Sequence, residues 1–409
     1  MAISLKSKNK TTILFVDQAL SFGGSVVVLG GLVEAINKNS YRSVVVGEMD
    51  ESILDYHMQG QAKIHVVRRL FNYAQWEKVT SAAKRIKPQF LFKLVIYFMS
   101  AVRSIANVIY IVRLVKIILV EKVDLVHVNN GMSNFEPVIA ALLLRRRFIV
   151  HFHGVEKPGF IHKLLLNKVD RFIIISDFLY MALVENGFPK NHMTVIPNPV
   201  QKSHALSSNE KNVRKQYGLS KKDKIFAIVG RIVRWKGHIE FLNSAFLVLE
   251  NLPDAKALIV GDFSDGDASY QDEIMEIIKN SGYGDRILMT GYVKDVSRIY
   301  SIMDVCVHTS IEPEPFGLVI VEAMINGVPV IASDVGAPAE IIKNKVNGYI
   351  VSPFMPTKLA AVITELLIND ELRSEIGRRG RMHVQENYDI ESYAHSVERV
   401  YAEVLGTPE

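Results

Sequence analysis

Two glutamates, Glu314 and Glu322, bracket the run Pro315-Phe316-Gly317-Leu318-Val319-Ile320-Val321. The first sits in a Pro-rich turn. The second falls in an apolar stretch that reads as a helix, with Gly317 where that helix should begin. A helix N-terminus approached through a glycine offers backbone N–H groups and a positive dipole end to an anion. Acids eight positions apart would stand about two helical turns apart, on roughly one side. Glu322, in apolar surroundings, needs a hydrogen-bonding partner, because a buried carboxylate without one is costly; a ribose diol would supply it. The ligand this suggests is a phosphate joined to hydroxyl-rich groups. The competing reading is two solvated helix charges at a chance spacing. Pro315, Phe316 and Gly317 between the acids, and Gly327-Val328-Pro329-Val330 beyond them, argue against it.

Other residues with the right chemistry follow candidate strand ends. Gly230-Arg231 and Trp235-Lys236-Gly237 put two cations into one shaped loop. A departing diphosphate gains charge as its bond breaks, so cations aimed there lower the barrier. Asp262 follows ALIVG, and Gly23-Gly24-Ser25, after Phe22, follows the first strand. Paired glycines let backbone N–H groups approach a phosphate, and Ser25 is placed to cap the next helix, but taken alone the motif reads as an ordinary tight βα turn. In His151-Phe152-His153-Gly154, strand alternation puts both histidines on one side and Phe152 on the other. His153 is the better candidate to touch a ligand, and His127 belongs inside its own strand. For Gly336-Ala337-Pro338-Ala339-Glu340, close packing and a favourable charge at the start of its own helix are sufficient.

The elements that must hold these residues alternate. Strand candidates are Thr12–Val16, Ser43–Val46, Leu125–Val128, Phe148–His151 and Arg171–Ile175, mostly separated by helical patterns. Polar sequence from Gln201 to Lys224 breaks the series. It restarts with Ile225–Val229, Ala257–Val260, Ile287–Thr290, Val305–Val307 and Val328–Ala332. Two such series predict an α/β protein with two doubly wound parallel-sheet domains, residues 1–200 and 201–388. Ligands of open α/β sheets bind beyond the C-terminal strand ends, which is where these residues fall.

The chain has 409 residues, 49% hydrophobic and 22% charged, with a net charge of +5 and a pI near 9.0. This is a globular composition. The modest positive charge suits an anionic ligand or lipid surface, and the basic stripe with aromatics that nucleic acid requires is missing. The one cysteine, Cys306, has no partner for a disulfide and reads as a buried strand residue in a reducing compartment. The twelve histidines form no HExxH or Cys/His cluster, so no metal is expected. Lys6, Lys8 and Lys10 precede a short apolar run that stops at Asp17, a pattern unlike a signal peptide.

Residues 78–120 carry Lys78, Lys84, Arg85, Lys87, Lys93, Arg103, Arg113 and Lys116 but no Asp or Glu. Leu91 to Val120 is strongly apolar, and Lys93, Ser100, Arg103, Ser104 and Asn107 share one narrow helical side. Charges interrupt it too often for a membrane span of ~20 residues. Two readings stand: a long core helix with solvated basic residues, or an interfacial helix on an anionic membrane, possible over residues 84–120. Arg145, Arg146 and Arg147 could add to such a surface, although a basic triplet in a loop is usually just solvated.

Taken together, the second half resembles the retaining glycosyltransferases of family 4. The resemblance is carried by Gly230, Arg231, Lys236 and Gly237, by IVGD (Ile259–Asp262), GYVKD (Gly291–Asp295), EPFGLVIVE and NGVPVIASDVG. The first half matches more thinly, through FGGS, DLVHVN, HFHG, IIISDFL and VIPNP. The resemblance implies the GT-B fold, with two Rossmann-like domains facing across a cleft and a C-terminal segment, residues 389–409, crossing back to the first. It implies a nucleotide-sugar donor, usually a UDP- or GDP-sugar, and no bound metal or other cofactor. Arg231 and Lys236 would neutralise the diphosphate, and Glu314 would bind donor-sugar hydroxyls. Phe316, Gly317 and Leu318 would offer backbone N–H groups, Glu322 would hold the ribose, and Tyr292 and Val293 would lie near the base. Gly23 and Gly24 would contact the phosphate, and His153 the donor sugar; Asp262 belongs to the donor-binding set. Ala337 departs from a glycine common in the family. The activity implied is that of a retaining, hexosyltransferase-type enzyme acting on a lipid-linked or growing glycan in cell-surface polysaccharide synthesis, cytoplasmic or peripheral on the inner membrane face. Glu314→Ala or Lys236→Ala should then abolish transfer with the fold intact. The rival readings are a nucleotide-sugar epimerase or sugar-phosphate synthase of the same fold, and a non-catalytic, membrane-associated partner in a polysaccharide assembly complex.

Overall fold

Strands buried on both faces need unbroken apolar runs, and ILFV, VVV, IFAIV and ALIV supply them. The computed structural model describes residues 10–19, 23–70, 73–83, 87, 89–200, 210–263 and 268–407. Lys6, Lys8, Phe22, Lys84, Arg85 and residues 201–209 of the polar segment lie outside the described residues. Among the described residues, β1 (Thr11–Asp17), β2 (Tyr41–Gly47), β3 (Lys63–Val66), β4 (Leu125–Val128), β5 (Arg147–Phe152), β6 (Arg171–Ile174) and β7 (Met193–Val195) form one sheet, ordered 3-2-1-4-5-6-7. A second sheet, ordered 10-9-8-11-12-13, contains β8 (Lys224–Val229), β9 (Ala255–Val260), β10 (Ile287–Gly291), β11 (Val305–His308), β12 (Val330–Ala332) and β13 (Tyr349–Ile350). Every pairing is parallel.

The order reverses between β1 and β4 in one sheet and between β8 and β11 in the other. Connections leave such a point in opposite directions, so the loops part and leave a crevice. In the first sheet that point is set by Ile13 beside Leu125, and in the second by Val305 beside Phe226. Side chains of Phe226, Phe241, Ile259, Val305, Ile331 and Ile363 fill the core on one face of the second sheet.

The chain divides into two units. One comprises Met1–Ile175, Tyr180–Ile196 and Tyr393–Glu409; the other comprises Ser176–Leu179 and Pro197–Ser392. The C-terminal helix, Ile390–Leu405, brings the fully buried Tyr401 to the first unit, where its hydroxyl lies 2.6 Å from His127 Nδ1.

The sequence reading missed β3, β7 and β13, which have four, three and two residues. Such short strands, all three at sheet edges, carry too little apolar pattern to stand out. The core-helix reading of residues 78–120 holds for the C-terminal part alone, where Ala106, Tyr110, Leu114, Ile117 and Ile118 are buried. Gln89–Val120 is one helix of 32 residues, but Leu94, Tyr97 and Phe98 are exposed. Ser100, Arg103 and Asn107 are half-buried instead, with the Arg103 guanidinium 5.3 Å from the Trp76 ring centre. By length and composition, the part from Lys93 to Val120 would also suffice to cross a membrane.

Candidate functional site

The second unit builds a polar cluster beside its switch point. After β8 the chain turns through Gly230 and Arg231 into a short turn of 3-10 helix, Arg234–Lys236, and then into the helix His238–Asn251. Gly237 joins the two at φ +71°, and a Cβ there would lie 1.9 Å from the Thr309 carbonyl oxygen. Side chains cannot be accommodated at such a junction. Thr309 Oγ1 donates to the Gly237 carbonyl at 2.8 Å, and the Ile311 N–H donates to the Trp235 carbonyl at 2.8 Å. The loop carrying Lys236 is thereby fixed to the segment after β11.

That segment carries Glu314. Lys236 Nζ lies 2.5 Å from Glu314 Oε2. His308 Nε2 lies 3.0 Å from the same oxygen, and Ser310 Oγ lies 3.2 Å from it. Glu314 is only 6% exposed. Burial alone would raise its pKa, but the Lys236 charge and the His308 hydrogen bond and charge outweigh burial and hold the carboxyl well below its ordinary range. Its backbone is clamped as well, since the Glu314 N–H donates to Val335 O at 3.2 Å and the Ala337 N–H donates to Glu314 O at 2.9 Å. Gly336, at φ +93°, makes this bridge feasible, because a Cβ would come within 2.4 Å of Glu314 N and O. Ala337 is fully buried in ordinary helical backbone, so a second glycine is not needed there.

Glu322 lies elsewhere. The helix is Leu318–Ile325, capped by Gly317, so Glu314 lies outside it in an extended bridge with Gly336. The two-turn spacing expected from the sequence is therefore corrected. Glu322 Oε2 accepts from the buried Tyr300 hydroxyl at 3.1 Å, so the fold itself supplies a partner that the sequence reading sought in a ribose. Desolvation pushes the Glu322 pKa up to about 7, with the Tyr300 hydrogen bond opposing. Cys306, buried in β11, is pushed up to about 12 by burial and by the Glu322 charge.

Other expected residues in this unit are placed by backbone bridges. The Ile232 N–H donates to Asp262 O at 2.9 Å, so the loops of Arg231 and Asp262 run side by side. Arg231 is exposed, and the Asp262 carboxylate accepts the Phe263 N–H at 2.8 Å. The Gly261 N–H donates to Gly291 O at 3.2 Å, which brings Tyr292 and Val293 to the neighbouring strand end, with Tyr292 exposed. Phe316 is buried, its ring 5.9 Å from that of Tyr388. Glu340 stands in the first turn of its own helix, Pro338–Ile341, as expected. Its carboxylate also accepts the Asp177 and Phe178 N–H groups at 2.9 and 2.6 Å, residues of the same unit.

The first unit holds a separate polar chain at its own switch point. Buried Asp17 accepts from Asn129 Nδ2 at 2.7 Å and from Asn130 Nδ2 at 2.9 Å. Burial is the larger influence on Asp17 and raises its pKa, while these donors and the Ala19 N–H oppose it. With Asn129 Nδ2 turned to the carboxylate, its Oδ1 accepts from His153 Nε2 at 3.2 Å. The His151 and His153 rings are 4.4 Å apart, and Phe152 packs on the other side against Phe172 and Phe188. His151 Nδ1 is 3.3 Å from His127 Nε2. Desolvation lowers all three, His153 to about 4 and His127 to about 3, so each is neutral at pH 7. Gly23 caps the helix Gly24–Ala35 with extended backbone; Ser25 lies inside that helix rather than at its cap.

Asp17, Asn129, Tyr300, His308 and Ser310 escaped the sequence reading. Alternation in VCVHTS does put His308 and Ser310 on one side, a signal available for those two. Among the described residues, no group of three or more His, Cys, Asp or Glu could hold a metal ion.

Residues 209–383 match the family model described as glycosyl transferases group 1, and residues 22–204 match the one described as glycosyltransferase family 4. The chain is 27% identical over 299 residues to N-acetyl-alpha-D-glucosaminyl L-malate synthase of Bacillus anthracis, covering 70% of this chain and 76% of that protein. It is 26% identical over 286 residues to the lipopolysaccharide core biosynthesis mannosyltransferase LpsB of Rhizobium meliloti, covering 68% and 79%. The crystal structure of Anabaena Alr3699/HepE in complex with UDP and glucose superimposes with a TM-score of 0.77 at 21% identity, covering 95% of this chain and 99% of that one, a likeness of fold.

Proposed function

This chain is a group 1 glycosyltransferase with the GT-B fold, and we propose that it moves a sugar, with retention, from a UDP- or GDP-sugar to a hydroxyl of a lipid-linked or growing glycan. The observation that carries this reading is the buried Lys236–Glu314–His308–Ser310 cluster at the switch point of the second sheet. It offers a cation and a carboxylate held ionised within reach of each other, which suits a ligand that is anionic at one end and hydroxyl-rich at the other.

In this reading the donor diphosphate engages Arg231 and Lys236. Lys236 then shares its protons between phosphate and Glu314, whose lone pairs turn to the sugar hydroxyls. The N–H groups of Phe316, Gly317 and Leu318 lie at a helix start that favours anions. Glu322 and Tyr300 meet the ribose, Tyr292 and Val293 flank the base, and Asp262 lines the same loop edge. Gly23, Gly24 and His153 of the first unit keep the roles that the family resemblance implies. The acceptor oxygen forms its bond to the anomeric carbon on the face from which the diphosphate oxygen departs, and the leaving phosphate takes the acceptor proton. Cationic side chains meet the leaving-group charge, so the reading includes no metal or other cofactor. Support for the donor class comes from the UDP held by the Anabaena neighbour, and support for glycan synthesis from the lipopolysaccharide relative. A cytoplasmic site, peripheral on the inner membrane face, accords with a lone buried thiol.

Thermal shift with UDP-glucose, UDP-N-acetylglucosamine and GDP-mannose, followed by product analysis, tests the proposal. One donor should raise Tm and yield a new glycosidic bond. Glu314→Gln should cost at least about 100-fold in kcat/KM while UDP still stabilises. An altered free nucleotide sugar as the sole product would replace transfer with epimerisation, and stabilisation by no nucleotide would overturn the donor assignment.

A further inference from the structure

The helix Gln89–Val120 is apolar on two sides, one packed inward and one turned to solvent. A helix on the surface of a globular unit ordinarily covers its apolar side and wets its polar one. Here Ser100, Arg103 and Asn107 lie on the half-buried side, while Leu94, Tyr97, Phe98, Ile105, Val108 and Val112 are all more than half exposed. Successive steps of three, four or seven residues place most of these on one continuous stripe. Leu119 extends it by a further seven residues, also exposed.

The C-terminal half is anchored, because Ala106, Tyr110, Leu114, Ile117 and Ile118 are buried in the first unit. That anchor rules out a crossing. The part before it, from Leu91, spans about 22 Å at ~1.5 Å per residue, short of the ~30 Å hydrocarbon core. The helix is built to lie along an apolar boundary.

A second feature says which boundary. Beside the stripe runs a groove of about 350 Å³ lined by Val66, Val67, Ile117 and Val120 together with His65, Arg113 and Lys116. No Asp or Glu occurs anywhere from residue 78 to residue 120. The adjoining Glu121 is buried and paired with Arg42, Lys63 and His65, which leaves Arg113 and Lys116 to set the charge beside the stripe. Cations beside an apolar stripe complement a surface of anionic headgroups over acyl chains. A second copy of this chain would set like charges against each other.

We propose that the helix Gln89–Val120 docks the protein on an anionic lipid bilayer, its stripe in the acyl boundary and the Arg113–Lys116 groove on a lipid phosphate. The helix returns the chain to the start of β4, so its free N-terminal half runs out past the opposite edge of the sheet. Asp17, Asn129 and His153 stand at that edge, and the next helix, Phe160–Leu165, adds Phe160, 80% exposed. Docking thus presents the first unit's polar crevice to the membrane; that this serves a lipid-linked acceptor rests on the transferase reading above, and docking itself does not.

Flotation of the full chain with phosphatidylglycerol or phosphatidylcholine vesicles is the test. The protein should float with phosphatidylglycerol, at least about tenfold less with phosphatidylcholine, and less at high salt. Leu94→Glu with Phe98→Glu and Val108→Glu should abolish flotation, and Arg113→Glu with Lys116→Glu should weaken it on phosphatidylglycerol alone. Circular dichroism checks that these variants fold. The proposal is overturned if the parent protein stays unbound at low salt or the triple variant floats unchanged. A stable dimer split by the triple variant would make a second copy the occupant and overturn it equally. None of these readouts requires transfer, so failure here and failure of the donor assignment are separate results.

Discussion

Glu314 and Glu322 are chemically identical, yet the fold gives them opposite tendencies. Lys236 and His308 hold Glu314 ionised, whereas Glu322 keeps its proton up to about pH 7. A carboxyl raised from its unfolded value binds more protons in the native state, so its contribution to stability is present at low pH and is lost as pH rises from about 4.5 to about 7. Glu322→Gln removes this dependence. In urea melts the variant should gain on the parent between pH 5.5 and pH 8, by on the order of 2 kcal/mol at most; an equal gap at both values would refute the assignment. The expectation that Lys236→Ala spares the fold is also revised. That change leaves a buried carboxylate without its cation, which costs roughly 3–5 kcal/mol where burial is complete. Glu314→Gln is therefore the cleaner probe of chemistry.

The elements position these residues through backbone contacts that tolerate no side chain. Gly336→Ala combines a left-handed φ with a Cβ pressed on the Glu314 backbone. It should cost about 1–3 kcal/mol of stability and lower kcat/KM by displacing Glu314. Denaturation midpoint and kinetics measured together check this, and unchanged values in both would show that the bridge is slack. Strand existence was legible because doubly covered strands are apolar runs bounded by glycines. The facing of Gln89–Val120 was not. A helical wheel shows that two sides differ, but only the packing of Tyr110 and Arg103 shows which side is turned inward.

At the scale of the molecule, each unit gathers its polar residues at its own switch point. The first unit holds three neutral histidines, His127 and His151 buried and His153 half-buried, linked to Tyr401 and, through Asn129, to Asp17. A base whose folded pKa is depressed stabilises the native state above its unfolded value, and that stability is lost as pH falls from about 6.5 toward about 4. Hydrogen exchange at pH 7 and pH 5, corrected for intrinsic rates, should show protection falling more in β1, β4 and β5 than in β8, β9 and β11. Equal loss in both sheets would mean that these histidines are protonated or relaxed in the native state.

The order of strands and helices, the parallel sheets and the loops that carry reactive groups all follow from short-range pattern, since burial on two faces and the turn at each strand end leave local marks. Arg231, Lys236, Glu314 and His153 were singled out that way. Their partners were not. Glu314 meets Lys236 across 78 positions, and His127 meets Tyr401 across 274. Charge state, tautomer and the face a helix shows to solvent depend on what stands within a few ångströms, and residues so far apart in the chain become neighbours only when the sheets are assembled.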